Sequence, residues 1–108
     1  MKSEQPDGRS FVQATLKVLG GKWKLLILWH LKDKAKRYSE LKRLIPEITE
    51  KMMIQQLREL ESDGIVSRNM LAEMPPKVEY DFTDYGRTII PVLKPLCDWG
   101  QEHLKLME

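Results

Sequence analysis

Apolar residues recur at helical spacing through most of the chain and switch once to strict alternation. In residues 10–19 two stripes, Phe11–Ala14–Val18 and Val12–Leu16–Leu19, predict a first helix. Gly20-Gly21 ends it and allows a sharp turn. The second helix has Trp23, Leu26, Ile27, Leu31 and their neighbours around most of its circumference, which marks a central core helix. Ser39 predicts the N-cap of a short helix, Glu40–Ile45, closed by Pro46. Thr49 predicts the N-cap of a longer helix, Glu50–Ser62, with Glu50 in the first turn and Gly64 as its stop. Neither cap is followed three residues on by Glu or Gln, so neither is a full capping box.

The period then changes. Gly64–Leu71 and Lys77–Thr83 read as two strands, and in the second Val78, Tyr80 and Phe82 alternate with Lys77, Glu79 and Asp81. Ala72–Pro76 between them predicts a hairpin loop whose two prolines stop sheet pairing. Thr83 can cap a last helix in which Pro91 and Pro95 should bend or restart the backbone. Residues 1–9, polar and holding Pro6 and Gly8, read as a flexible terminus ahead of one domain over residues 10–108. The predicted fold is mainly α with a small β-hairpin: a winged helix-turn-helix, single domain, in which the hairpin is the wing.

Charge gives this order a direction. The formal net charge is only +2, but residues 22–58 hold ten basic against four acidic residues, net +6. Residues 59–108 hold five against ten, net −5. The positive block spans the helix-turn-helix and the segment leading into it, as a polyanion-binding face would. The bulk numbers exclude other classes. A composition of 42% hydrophobic and 31% charged residues is that of a globular domain. The longest apolar runs, Leu25–Trp29 and Ile89–Leu93, are far short of the roughly 18 residues that span a membrane. The start MKSEQPDGRS has no apolar signal region, so a soluble cytoplasmic protein is expected.

Faces of the predicted helices name the candidate site. In Glu50–Ser62, Met53, Leu57 and Leu60 should face the core, which turns Lys51, Gln55, Arg58 and Ser62 outward with Met52 alongside. Such a helix fits the major groove, where Gln pairs with adenine and Lys or Arg with guanine. Thr49 and the free N–H groups at the helix start suit a phosphate. Arg37, Lys42 and Arg43 are candidates for phosphate contacts that set the register, and Ser39 and Gln56 complete the DNA-binding set. Lys77, near the hairpin tip, reads equally as a minor-groove contact and as a free surface lysine, because Glu73 and Glu79 weaken the wing's attraction.

Both terminal helices carry apolar residues on more than one face. One face of each can pack on the domain core; the other needs a partner, and another copy is the simplest. The candidate interface is Phe11, Val12, Leu16, Val92, Leu96, Cys97, Trp99 and Leu104. A twofold dimer would offer two helices to successive major grooves, about 34–36 Å apart, and read a near-palindromic operator.

Enzyme chemistry has no support in the residues. Gly20-Gly21-Lys22 lacks the spacing of a phosphate loop, and no motif unites Ser, His and Asp. Two histidines and one cysteine do not make a metal set, so no metal and no cofactor are expected. His30 reads as a hydrogen-bonded core histidine, Trp23, Trp29 and Trp99 as core or interface packing, and Cys97 as a small apolar residue.

An ordered set of motifs resembles the HxlR-type winged helix-turn-helix regulators. It comprises Gly20-Gly21-Lys22-Trp23 with the following Leu-Leu-Ile-Leu, Arg37-Tyr38-Ser39-Glu40-Leu41, Leu57–Gly64, Pro75–Tyr80, Thr83 with Gly86, and Trp99-Gly100. The resemblance implies a homodimeric, sequence-specific DNA-binding transcriptional regulator whose terminal helices form the dimer interface. Many relatives carry Cys-Pro-Val before the first helix, and in some that thiol senses oxidants. Here the corresponding positions are Ser10-Phe11-Val12, so redox sensing is not carried over. The expected partners are double-stranded operator DNA and a second copy of the chain, with a small-molecule effector near Trp99 and Cys97 as a compatible addition. The competing function, suggested by the acidic last third, is a winged helix that binds protein without specific DNA recognition.

Overall fold

The computed structural model of the chain describes residues 6–108. The elements run α1 (Gly8–Leu19), α2 (Lys24–Leu31), β1 (Lys36–Arg37), α3 (Tyr38–Leu44), α4 (Glu50–Ser62), β2 (Val66–Glu73), β3 (Pro76–Phe82), a 3-10 turn (Gly86–Ile89) and α5 (Ile90–Leu106). The helix-turn-helix with a hairpin behind it is present as expected. Several boundaries differ for identifiable reasons.

α1 starts at Gly8, two residues ahead of the expected start at residue 10, because Asp7 caps it: Oδ1 accepts from the Ser10 N–H at 3.0 Å. Of the nine residues expected to be flexible, residues 1–5 lie outside the described residues. α3 starts at Tyr38, so Ser39 is inside its first turn and is not the N-cap. The end is closed instead by Glu40, whose Oε1 accepts from the Arg37 N–H at 2.8 Å. That bond is the main reason the Glu40 carboxyl is held below its ordinary range. The hairpin strands run longer than the prolines suggested. Pro76 pairs with Glu73 at the tip, where a missing N–H costs at most a terminal ladder bond, and a bulge falls between Met70 and Ala72.

The sheet has three strands in the order β1-β3-β2, all antiparallel. β1 is two residues long, with Lys36 opposite Tyr80 and Arg37 opposite Glu79. It ties the start of the helix-turn-helix to the wing.

The core lies where α2, α3 and α4 meet the base of the sheet. Ile27, Leu28 and Leu31 of α2, Leu41 of α3, Met53, Leu57 and Leu60 of α4, Val66 of β2, Phe82 of β3 and Leu93 of α5 are buried, with Ile45, Ile48 and Ile65 from the connections. Leu26, counted among the all-round apolar residues of α2, is exposed.

The end of α4 forms a tight stop. Gly64 takes φ +75°, its N–H donates to the Glu61 carbonyl at 3.0 Å and the Ile65 N–H to the Leu60 carbonyl at 2.9 Å. Thr83 locks this corner to the terminal helix. Its O–H donates to the Gly64 carbonyl, its N–H to the Ile65 carbonyl at 3.0 Å, and its Oγ1 accepts from the Gly86 N–H at 2.8 Å. Thr83 therefore closes the turn that leads into the 3-10 segment; α5 itself begins at Ile90. Pro91 sits in the first turn of α5, where its missing N–H is cheap, and only Pro95 is inside the helix.

Each terminal helix packs on the core, but only over a short stretch: Val18 and Leu19 of α1 and Ile90 of α5 lie half-buried against it. α1 buries no residue, and α5 buries only Leu93. Among the described residues no helix is long and apolar enough to cross a membrane.

Candidate nucleic-acid interface

α4 turns as its sequence period requires. Met53, Leu57 and Leu60 are at most 1% exposed, and Lys51, Gln55, Arg58 and Ser62 lie on the outward side. Lys51, Ile54, Gln55, Arg58, Glu59 and Ser62 line a shallow groove along that side. Thr49 caps the helix as expected, its Oγ1 accepting from the Met52 N–H at 3.1 Å. Met52 and Gln56 sit on the inward flank: both are half-buried, and Gln56 Nε2 donates to Met52 Sδ at 3.5 Å.

The cations divide into two groups. Arg37, Arg43, Lys51, Arg58 and Lys77 are exposed and take part in none of the ion pairs among the described residues. Others in the positive block are engaged by the protein itself. Lys42 Nζ donates to the Pro46 carbonyl at 3.2 Å, bracing the turn between α3 and α4. Lys36 Nζ donates to the His30 carbonyl at 2.8 Å, at the C-terminal end of α2. Lys22 lies over Trp23 and Lys32 over Trp29, with Nζ 4.7 and 4.0 Å from the ring centroids.

Lys24 is the largest correction to the charge argument. Counted among the ten basic residues of the positive block, it is in fact buried and paired with Glu59 of α4, Nζ to Oε1 2.6 Å. The Lys24 hydrogen bond, and then that of Gln55, hold the Glu59 carboxyl below its ordinary range.

Arg68 was missed. It lines a cleft between α4 and the wing with Ile54, Leu57, Arg58, Glu61 and Tyr80. Its strand, β2, mixes polar and apolar residues without clean alternation, so only the register, which puts Arg68 opposite Tyr80, reveals the position. Lys77 is the second residue of β3, opposite Ala72, exposed and near the hairpin tip.

His30 is half-buried. Burial first, then Lys36 and Lys32, push its pKa down. Among the described residues no three His, Cys, Asp or Glu side chains gather as a metal set. Cys97 is exposed, in an apolar groove with Leu25, Leu26, Trp29, Leu93 and Leu96. The other candidate interface residues, Phe11, Val12, Leu16, Val92, Leu96, Trp99 and Leu104, are all exposed as well.

With this geometry established, the family decides the kind of protein. The pattern of the HxlR-like helix-turn-helix family matches residues 18–108. The chain belongs to the HxlR-like family. The transcriptional regulator YtcD of Bacillus subtilis (strain 168) is 56% identical over 93 residues, which cover 86% of this chain and 74% of that protein. The crystal structure of ytcD matches with TM-score 0.83 at 54% identity, over 89% of this chain and 98% of that one. An HTH-type transcriptional regulator of Methanothermobacter thermautotrophicus is 48% identical over 90 residues, 83% of this chain and 69% of that protein. The redox regulator HypR in its reduced form has TM-score 0.86 at 45% identity, covering 91% of this chain and 97% of that one. This HxlR-like chain is thus a DNA-binding transcriptional regulator, and its family is one of regulators rather than enzymes.

Proposed function

We propose that residues 10–108 act as one unit that binds a near-palindromic operator as a homodimer, with α4 in the major groove and the hairpin beside it. The carrying observation is the outward face of α4, where Lys51, Gln55 and Arg58 stand exposed on a helix whose opposite side is anchored in the core. On this reading Gln55 and Arg58 read bases, and Lys51, Arg37 and Arg43 meet phosphates with Thr49 and the N-terminal turn of α4. The cleft beside Arg58 adds Arg68 to the phosphate contacts. Lys42, Met52 and Gln56 support the helix pair, the exposed Ser39 hydroxyl joins the phosphate contacts, and Lys77 adds a weaker wing contact.

Dimerisation is supported by α1 and α5. Of α1 only Val18 and Leu19 lie half-buried against the core, so most of its apolar surface gains from packing only if a further surface covers it. Phe11, Val12 and Leu16 of α1 are each about 60% exposed, and Trp99 of α5 is 69% exposed. A second copy would cover both helices and place two α4 helices for successive grooves. Selection of bound sequences from random DNA tests the reading: a two-part, inverted-repeat motif supports it, and no enrichment refutes it. Salt-insensitive binding to a protein partner with no DNA shift would support the interaction-module alternative.

A further inference from the structure

Lys24 lies on the core helix α2, yet its ammonium reaches the outer side of α4. Its side chain is 9% exposed, and its Nζ lies 2.6 Å from Glu59 Oε1. The other oxygen of the same carboxylate, Oε2, accepts from Gln55 Nε2 at 3.2 Å. A buried cation holds a carboxylate, and the carboxylate holds the amide that α4 offers to the bases.

A glutamine amide has a donor end and an acceptor end of nearly the same outline. Glu59 can only accept, so it turns the donor end towards itself and leaves the carbonyl Oε1 on the far side. One Nε2–H stays free. One free donor beside one free acceptor is what the major-groove edge of adenine requires, since N7 accepts and N6 donates. Without the tether the amide turns over freely and loses more rotamer freedom on binding. The anchor is firm, because α2 is fixed by Ile27, Leu28 and Leu31 in the core.

We infer that Lys24 and Glu59 are positioning residues for base readout: they set the amide orientation of Gln55, and through it a preference for adenine at one position of each half-site. This rests on the reading of α4 as the recognition helix. The test uses the full chain, wild type and variants, on the duplex that wild type selects and on its single-base variants. Gln55→Ala locates the position that Gln55 reads. Lys24→Met and Glu59→Gln should each relax the preference at that same position about tenfold, within the range of a lost bidentate base contact. Lys24→Arg should retain it. In the Gln55→Ala background Lys24→Met should change nothing further, and the salt dependence should stay that of wild type. Glu59 is at the surface, so Glu59→Gln carries the test if Lys24→Met fails to fold.

The inference is overturned if Lys24→Met and Glu59→Gln keep the wild-type preference, if they weaken all sequences equally, or if Gln55→Ala relaxes no position. Each of these outcomes leaves the DNA-binding reading standing. Wild-type protein that enriches no sequence overturns both.

Discussion

Gly86→Ala probes the corner that joins the recognition helix, the wing and the terminal helix. A Cβ on Gly86 would collide with the Ile65 carbonyl oxygen and come within 3.1 Å of Phe82 Cδ1. The obstacle is backbone and cannot rotate away, so the corner has to open. Opening strains the Thr83 N–H bond to Ile65 and the Gly86 N–H bond to Thr83 Oγ1, now 3.0 and 2.8 Å. Overpacking costs about 1–3 kcal/mol, and one weakened hydrogen bond adds about 1 kcal/mol. A loss of about 2–4 kcal/mol is expected, which at about 4–8 °C per kcal/mol lowers Tm by roughly 10–30 °C. Urea and thermal unfolding followed by circular dichroism at fixed protein concentration measure both. Gly8→Ala is the control, since a Cβ there meets nothing within 4 Å, and its effect should stay within about 0.5 kcal/mol. A Gly86→Ala variant as stable as the control would refute the close approach and the locked corner inferred from it.

Other expectations follow from single contacts. Thr49→Ala removes the acceptor of the Met52 N–H and should cost about 1 kcal/mol in urea unfolding, with Thr49→Ser largely retaining it. Trp99→Glu puts a charge into the exposed α5 face beside His103, with which Trp99 stacks at 5.2 Å between centroids, and should shift sedimentation from dimer to monomer. Asp7 has its carboxyl pKa lowered chiefly by the Ser10 backbone N–H. Its contribution to α1 is therefore full above the ordinary carboxylate range and is lost as pH falls through its lowered value. Helicity of α1 should fall in strong acid, and Asp7→Asn should flatten that dependence.

How far the sequence foretold the structure differs by element. α4 was legible to the residue because three signals agreed: a 3.6-residue apolar stripe, a threonine cap and a glycine stop. α3 was placed correctly but started late, because its cap acceptor is the Glu40 carboxylate reaching back and not a hydroxyl at the N-cap. β1 was invisible, since two residues, Lys36 and Arg37, cannot show a period. The net +6 marked the right region but overstated the exposed charge. Lys24 is buried in an ion pair and Lys36 and Lys42 brace backbone carbonyls, all contacts between elements that residue order does not display. Arg68 was hidden for the complementary reason, because only strand pairing brings it beside Arg58.

The measurement that bears most directly on the account is the affinity for the selected operator as a function of salt, for wild type and for Arg58→Gln. The five cations per protomer proposed for backbone contacts, Arg37, Arg43, Lys51, Arg68 and Lys77, with two protomers per site, make six to ten phosphate contacts reachable, so wild-type affinity should fall by about 10³–10⁵-fold between 50 and 200 mM salt. Arg58→Gln should relax base preference at one position of each half-site, by a factor consistent with about 1–3 kcal/mol. Affinity that barely changes with salt, or an Arg58→Gln protein that binds and discriminates as wild type does, would contradict the assignment of α4 as the helix that reads DNA.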